Sequence, residues 1–201
     1  MGRWEPNARG RLAEAALQLY SERGFEQTTV AEIARRAGLT ERTFFRHYAD
    51  KREVLFGSGE LQELFVQAVA GAPESASPID AMAVGLDAVC EMFADRHAHA
   101  RKRQAVITAN AELRERELIK LASVSAALAD ALRRRGVAEP AASLTAEAGV
   151  AVFKVGFERW IGAAEGRPMT QLVRESLAEL KAVTAGHQGA PADGGSRGGD
   201  A

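Results

Sequence analysis

Two apolar-faced segments, each too short to stand alone as a helix, are joined by only Ala37-Gly38-Leu39-Thr40. Helices of about two turns are marginal in water, so both must be held by packing on something else. Thr29, with Glu32 three residues on, forms a capping-box pattern that starts the first segment near Val30. Val30, Ile33, Ala34 and Ala37 make its apolar face, and Gly38 stops it. Thr40 caps the second, which runs over 41–48. A glycine-containing turn of this length between two short helices makes a helix-turn-helix. A preceding helical pattern over 6–23 carries Leu12, Ala16, Leu19 and Tyr20 at helical spacing and ends at Gly24, with Phe25 as the hydrophobic contact beyond it. The three helices are expected to close around Leu19, Phe25, Val30, Ile33, Leu39 and Phe44.

Beyond this unit the pattern stays helical. Asp50, with Glu53 three residues on, is expected to cap a fourth helix with Leu55, Leu61, Leu64, Phe65 and Val69 on its apolar side. A Gly/Ala/Pro/Ser loop over 71–78 comes next. Further helices are predicted over 79–97 (Met82, Leu86, Val89, Phe93), 98–109, 111–135 (Leu118, Leu121, Leu128, Leu132) and 140–164, with a last one reaching about 185. Alanine, arginine and glutamate abound and β-branched runs are scarce, a composition that favours helix. The expected fold is all-α, about nine helices. A helix-turn-helix domain (1–50) is joined by a helix to a helical ligand-binding and dimerisation domain (51–185), and a glycine-rich tail (186–201) is expected to be disordered.

Lys and Arg number 26 against 27 Asp and Glu, which excludes a sequence-blind polycation but not a local basic patch. No apolar run approaches the roughly 20 residues of a spanning helix. The N-terminal Met1-Gly2-Arg3-Trp4-Glu5-Pro6 has no apolar stretch of the secretory kind. The lone cysteine, Cys90, fits a reduced cytoplasmic setting. It is either a redox switch or inert core. No Ser/His/Asp set with a local signature, no glycine-rich phosphate loop followed by Lys and no Glu-x-x-His pattern is present, so no enzyme, catalytic residue, cofactor or metal is expected. His97-Ala98-His99 is a weak metal pattern with no third ligand nearby in sequence.

The segment over 41–48 exposes Arg42, Thr43, Arg46 and His47. From 35 to 51 there are five basic residues (35, 36, 42, 46, 51) against two acids (41, 50), the footprint of a phosphate-backbone partner in a near-neutral chain. Hydroxyls of Thr28, Thr43 and Tyr48 can add neutral hydrogen bonds. An ordinary amphipathic pair with arginines outside gives the same pattern. Arg3 and Trp4 form either an arm for the minor groove or a terminus folded back on the domain.

The stretch from Thr28-Thr29-Val30-Ala31-Glu32 through Thr40-Glu41-Arg42-Thr43-Phe44-Phe45-Arg46-His47-Tyr48 to Lys51-Arg52-Glu53-Val54-Leu55 resembles the DNA-binding signature of the tetracycline-repressor (TetR) family, in an actinobacterial form. The resemblance covers residues 9 to about 56. It implies an all-α homodimer that binds an inverted-repeat operator in double-stranded DNA, with a small-molecule effector in the C-terminal domain, and a transcriptional regulator, most simply a repressor. By position it implies that Thr40, Arg42 and Thr43 reach base edges and that Thr28, Thr29, Arg46, His47, Tyr48 and Lys51 hold phosphates. Position 42 is often small in the family, whereas Arg42 is long enough to reach guanine. Position 45 is usually a tyrosine. Phe45 lacks the hydroxyl, so its ring either packs or touches a thymine methyl.

In the C-terminal half the segment over 140–164 is apolar on more than one face, which calls for burial on two sides. Ala148, Val152 and Val155, with Met169, Leu172, Val173, Leu177 and Leu180 of the last helix, are candidates for a four-helix dimer interface. Gly149 and Gly156 would let its helices approach, or are plain core positions. Met82, Leu86, Cys90, Phe93, Phe153, Phe157 and Trp160 are candidates for an effector pocket, or equally for plain core. Asp87, Glu91 and Asp95 read as a solvated face, and Arg101-Lys102-Arg103 as surface or as partners of neighbouring acids. A helical carrier without DNA binding, or an architectural DNA-binding dimer without an effector, would share the C-terminal pattern. Only the carrier has no use for the reading helix.

Overall fold

The computed structural model describes residues 7–57, 59–163 and 166–186. The Arg3-Trp4 arm and residues 187–201 of the expected tail lie outside them. Among the described residues every regular element is helical. They are α1 (Ala8–Arg23), α2 (Val30–Arg36), α3 (Glu41–His47), a 3-10 turn (Glu53–Leu55), α4 (Glu60–Ala70), α5 (Pro78–Glu91), α6 (His97–Ala109), α7 (Ala111–Arg134), α8 (Ala141–Gly162) and α9 (Met169–Thr184).

Two expected helices differ. Asp50 does cap: its carboxylate accepts from the Arg52 and Glu53 backbone N–H groups at 2.7 and 3.3 Å. The element it starts is only a 3-10 turn, because Gly57 and Gly59 both take left-handed backbone conformations (φ 66° and 94°) and α4 restarts only at Glu60. The helix expected over 79–97 ends at Glu91, where the chain tightens into i→i−3 hydrogen bonds from Met92 to Arg96 before α6 begins.

The helices bury two cores. The first joins Leu12, Leu19, Tyr20, Phe25, Ile33, Phe44, Tyr48, Val54 and Leu55 of the N-terminal unit to Val106 and Ile107 of α6 and Leu113 of α7. The three-helix head therefore does not close on itself; the α6–α7 corner completes it. Ile107 and Leu113 are fully buried there, and each such side chain contributes about 1.5–3 kcal/mol by leaving water. Polar contacts reinforce the joint. Glu53 takes Arg116 and Lys120 of α7. Burial works to raise the Glu53 pKa, but the two cations outweigh it and hold the carboxyl below its usual range. Arg103 of α6 donates to the Leu55 carbonyl at 2.8 Å and lies 5.2 Å from the Phe56 ring centre.

The second core is built from α4, α5, α7, α8 and α9, with Ala100 of α6. Gly149 and Gly156 set its spacing. A Cβ on Gly149 would lie 2.4 Å from the Met82 sulfur, and one on Gly156 would lie 2.9 Å from the Cα of Val173. The close approach these glycines allow is thus made inside the protomer, α8 to α5 and α8 to α9. The same packing revises the dimer candidates. Val152, Met169, Leu172, Val173 and Leu177 are already buried within the chain, so they cannot supply an outer face. Leu180 is half-buried against the second core. Ala148 is half-buried and Val155 is exposed. On α8 the exposed Leu144, Ala151 and Val155, with the half-buried Ala148, form one stripe at helical spacing.

Candidate nucleic-acid interface

The reading head is built from local signals that act as the sequence predicts. Thr29 and Glu32 form the reciprocal capping box of α2: the Glu32 N–H donates to the Thr29 hydroxyl oxygen at 3.3 Å and the Thr29 N–H to Glu32 Oε2 at 3.0 Å. Thr40 caps α3 by accepting from the Thr43 N–H at 3.2 Å, and the two threonine hydroxyls lie 3.1 Å apart. Phe44 anchors the helix from within, fully buried, with Tyr48 tilted against it at 5.6 Å between ring centres. Burying that face turns Glu41, Arg42, Phe45 and Arg46 outward, Phe45 with 56% of its surface exposed. Thr43 and His47 sit half-buried at the edges.

The basic patch shrinks and sharpens in three dimensions. Arg36 is held by a two-pronged pair with Glu22, at 3.0 and 3.2 Å. Arg35, Arg42 and Arg46 are exposed and make no ion pair among the described residues, so three cations face solvent on this side.

Three residues expected at phosphates point elsewhere. Thr28 is buried and its hydroxyl donates to the Gly24 carbonyl at 2.8 Å, closing the turn after α1. Tyr48 is buried and its hydroxyl donates to the Arg9 carbonyl at 3.2 Å, tying α3 to α1. Lys51 turns inward. Its ammonium donates to the carbonyls of Phe25 and Thr28 at 3.0 and 3.2 Å and lies 4.2 Å from the Phe25 ring centre. The Phe25 carbonyl also accepts from the Thr28 N–H at 3.2 Å, and the long cation adds a second donor that ties the two turn carbonyls together. For His47, Nε2 is enclosed with no hydrogen-bond partner among the described residues, so that nitrogen does not face a phosphate.

Lys51→Met should therefore lower the melting temperature by the equivalent of about 1–3 kcal/mol, the worth of hydrogen bonds to a charged donor, and leave the salt dependence of DNA binding unchanged. Unchanged melting with a salt slope reduced by about one would restore the phosphate role.

In the C-terminal half, the expected pocket residues are brought together but filled by one another. Phe93 meets Phe157 and Trp160 at 5.7 and 6.0 Å, and Phe153 stacks on Phe157 at 6.0 Å. Met82, Leu86 and Cys90 are buried beside them on α5. Burial first, then Asp87 and Glu91, push the Cys90 thiol up to about 12, so it stays a protonated core residue. The acidic stripe is partly spent: Asp87 accepts both prongs of Arg174 at 2.9 Å. His97 and His99 do not converge. His97 Nε2 meets the Trp160 carbonyl and His99 lies beside Glu14. No helix among the described residues is long and apolar enough to cross a membrane.

The residues that join head to body, Glu53, Arg103, Arg116 and Lys120, were not legible as a set. One signal existed: Arg103 lies three and four residues before Val106 and Ile107, on the face they bury.

Comparison with known proteins matches both halves. Residues 12–57 match the family of bacterial regulatory proteins of the tetR type, and residues 76–185 match the MftR C-terminal domain. TcmR of Streptomyces glaucescens, a helix-turn-helix transcriptional regulator, is 39% identical over 82 residues, 40% of this chain and 36% of TcmR, so the chain spans about a third of that relative. MftR of Mycobacterium tuberculosis, a protein assigned to transcriptional regulation of mycofactocin biosynthesis, is 27% identical over 136 residues, 67% of this chain and 69% of MftR. A Pseudomonas aeruginosa PAO1 protein described as a transcriptional regulator has the same fold, with a TM-score of 0.63 at 20% identity over 92% of this chain and 94% of that one. FadR of Bacillus subtilis, solved with stearoyl-CoA, gives 0.56 at 18% over 85% and 96%.

Proposed function

Because this chain belongs to the tetR family of bacterial regulatory proteins and so is a DNA-binding transcriptional regulator, we propose that it works as a homodimeric repressor on an inverted-repeat operator, released by a small-molecule effector bound in its helical C-terminal domain. One observation carries the reading. Phe44 buries one face of α3 completely, and this presents Arg42, Phe45 and Arg46 together on the other. A cationic helix face with a largely exposed ring fits a major groove.

Thr40, Arg42 and Thr43 are the base readers in this reading. Thr29, Arg35 and Arg46 hold the phosphates. One head reads only a few base pairs, and two-fold symmetry doubles the site at a fixed spacing. The Leu144–Ala148–Ala151–Val155 stripe of α8 supports the dimer face. Bacillus subtilis FadR, which shares this fold, was solved in complex with stearoyl-CoA, and this supports a small-molecule effector. Release is a shift between dimer geometries, and an effector acts only through its unequal affinity for them.

Selecting duplexes from a random pool with the purified protein should enrich an inverted repeat of fixed spacing. Enrichment of nothing, with only weak salt-sensitive binding, would overturn the reading. In the same assay Arg42→Ala should relax the preference at one guanine per half-site, a loss of about 1–3 kcal/mol of discrimination. An unchanged motif would remove Arg42 from the readers.

A further inference from the structure

Thr28, Tyr48 and Lys51, all expected at phosphates, turn into the head instead. Turning Tyr48 inward has a second effect, on Arg9. The Tyr48 hydroxyl donates to the Arg9 carbonyl at 3.2 Å, and the Arg9 guanidinium carbon lies over the same ring, 5.2 Å from its centre. A cation within about 6 Å of a ring centre is held by the negative face of the ring. One aromatic side chain thus fixes both the backbone and the guanidinium of Arg9. A guanidinium resting on a ring uses its flat face, and its N–H donors point outward in its plane. Those of Arg9 have no hydrogen-bond partner among the described residues. Arg9 makes no ion pair among them either, and α1 has no acid in its first turn to compete for it.

Tyr48 is the residue that ends α3, so Arg9 stands beside the C-terminal end of the reading helix. Burial of Phe44 turns Arg42 and Arg46 outward along that helix. Arg9 adds a cation past its end, supplied by α1. A reading helix meets bases with its N-terminal residues, and what flanks its other end meets the sugar–phosphate wall. We propose that Arg9, held on the Tyr48 ring, clamps one operator phosphate in each half-site, with Tyr48 as its positioning residue. The planar fork takes the phosphate by two parallel N–H···O bonds. The proposal rests on the reading of the chain as an operator-binding regulator and adds to it a contact from outside the helix-turn-helix. The ring holds the side chain before DNA arrives, so little rotamer freedom is lost on binding. The contact carries no base information; it raises affinity for every duplex and fixes the register of the head on the backbone.

A methylphosphonate scan of the selected operator, bound by the full-length protein, tests the clamp. Each substitution removes the charge of one phosphate and leaves every base in place. Of the positions that cost the unsubstituted protein about tenfold in affinity, one per half-site should fall silent in Arg9→Gln. The same variant should weaken all duplexes alike, keep the selected motif and lower the salt slope by about one for each head engaged. Arg9→Lys keeps the charge and should keep the slope. Tyr48→Leu should weaken the effect at that same phosphate and at no other, and Tyr48→Phe, which keeps the ring, should retain it. A merely structural Arg9 would lower the melting temperature of Arg9→Gln and leave its slope and scan unchanged, which would overturn the proposal. A loss confined to one operator base would overturn it too. The operator selection keeps the two readings apart. A protein that enriches an inverted repeat but gives the same scan in Arg9→Gln loses the clamp and keeps the regulator. A protein that enriches no duplex loses the regulator, and the clamp with it.

Discussion

Phe44→Ala should cost about 3–5 kcal/mol, the range for removing a buried ring from a core, and operator binding should be lost with it. Phe44 is fully buried and its ring meets those of Phe45 and Tyr48 at 5.4 and 5.6 Å. It holds α3 against α1 and α2, and a seven-residue helix has no stability of its own to fall back on. The loss should be regional. Amide exchange should accelerate across α1 to α3 and at Val106, Ile107 and Leu113, which share that core, while α8 and α9 stay protected. Phe45→Ala, one residue away and 56% exposed, should shift the melting temperature by no more than about 0.5 kcal/mol equivalent. Equal destabilisation by the two variants would mean that α3 is not anchored as described.

The second large effect lies at the other end of the molecule. Leu144→Glu together with Val155→Glu should convert the dimer to monomer and cut operator affinity by about three orders of magnitude. Both side chains are exposed in the protomer, at 66% and 50%, so the chain should fold unchanged. In an isologous interface every substitution is met twice. Two substitutions, each met twice, alter four contacts; at about 1 kcal/mol for each the loss is about 4 kcal/mol, a factor of about 10³. Analytical ultracentrifugation with far-ultraviolet dichroism reads mass and fold together. A dimer that survives both charges would place the interface elsewhere. The exposed Leu118 and Ile119 of α7 are then the next surface to probe.

How much of this was legible in advance depends on how far each cause reaches along the chain. The capping box of Thr29 and Glu32, the Thr40 cap, the Gly38 turn and the inward Phe44 are effects within a few residues, and all appear where the pattern puts them. Periodicity gives Val152, Val173 and Leu177 to a partner because it tells which face is apolar, not what covers it. Here α8 and α9 cover each other, spaced by Gly156 against Val173. Lys51 shows the same limit. Its charge and position pointed to phosphate, but the carbonyls of Phe25 and Thr28 lie within reach only once the α1–α2 turn has folded back on it.

Local composition and spacing thus determined the helices, the helix-turn-helix and the reading face. Which of two buried faces meets the chain itself, which cations remain free for DNA, and how the α6–α7 corner completes the head were decided by tertiary packing. Those outcomes depend on pairs far apart in sequence, such as Arg103 with Leu55 and Glu53 with Arg116 and Lys120. Such pairs have no local periodicity to announce them.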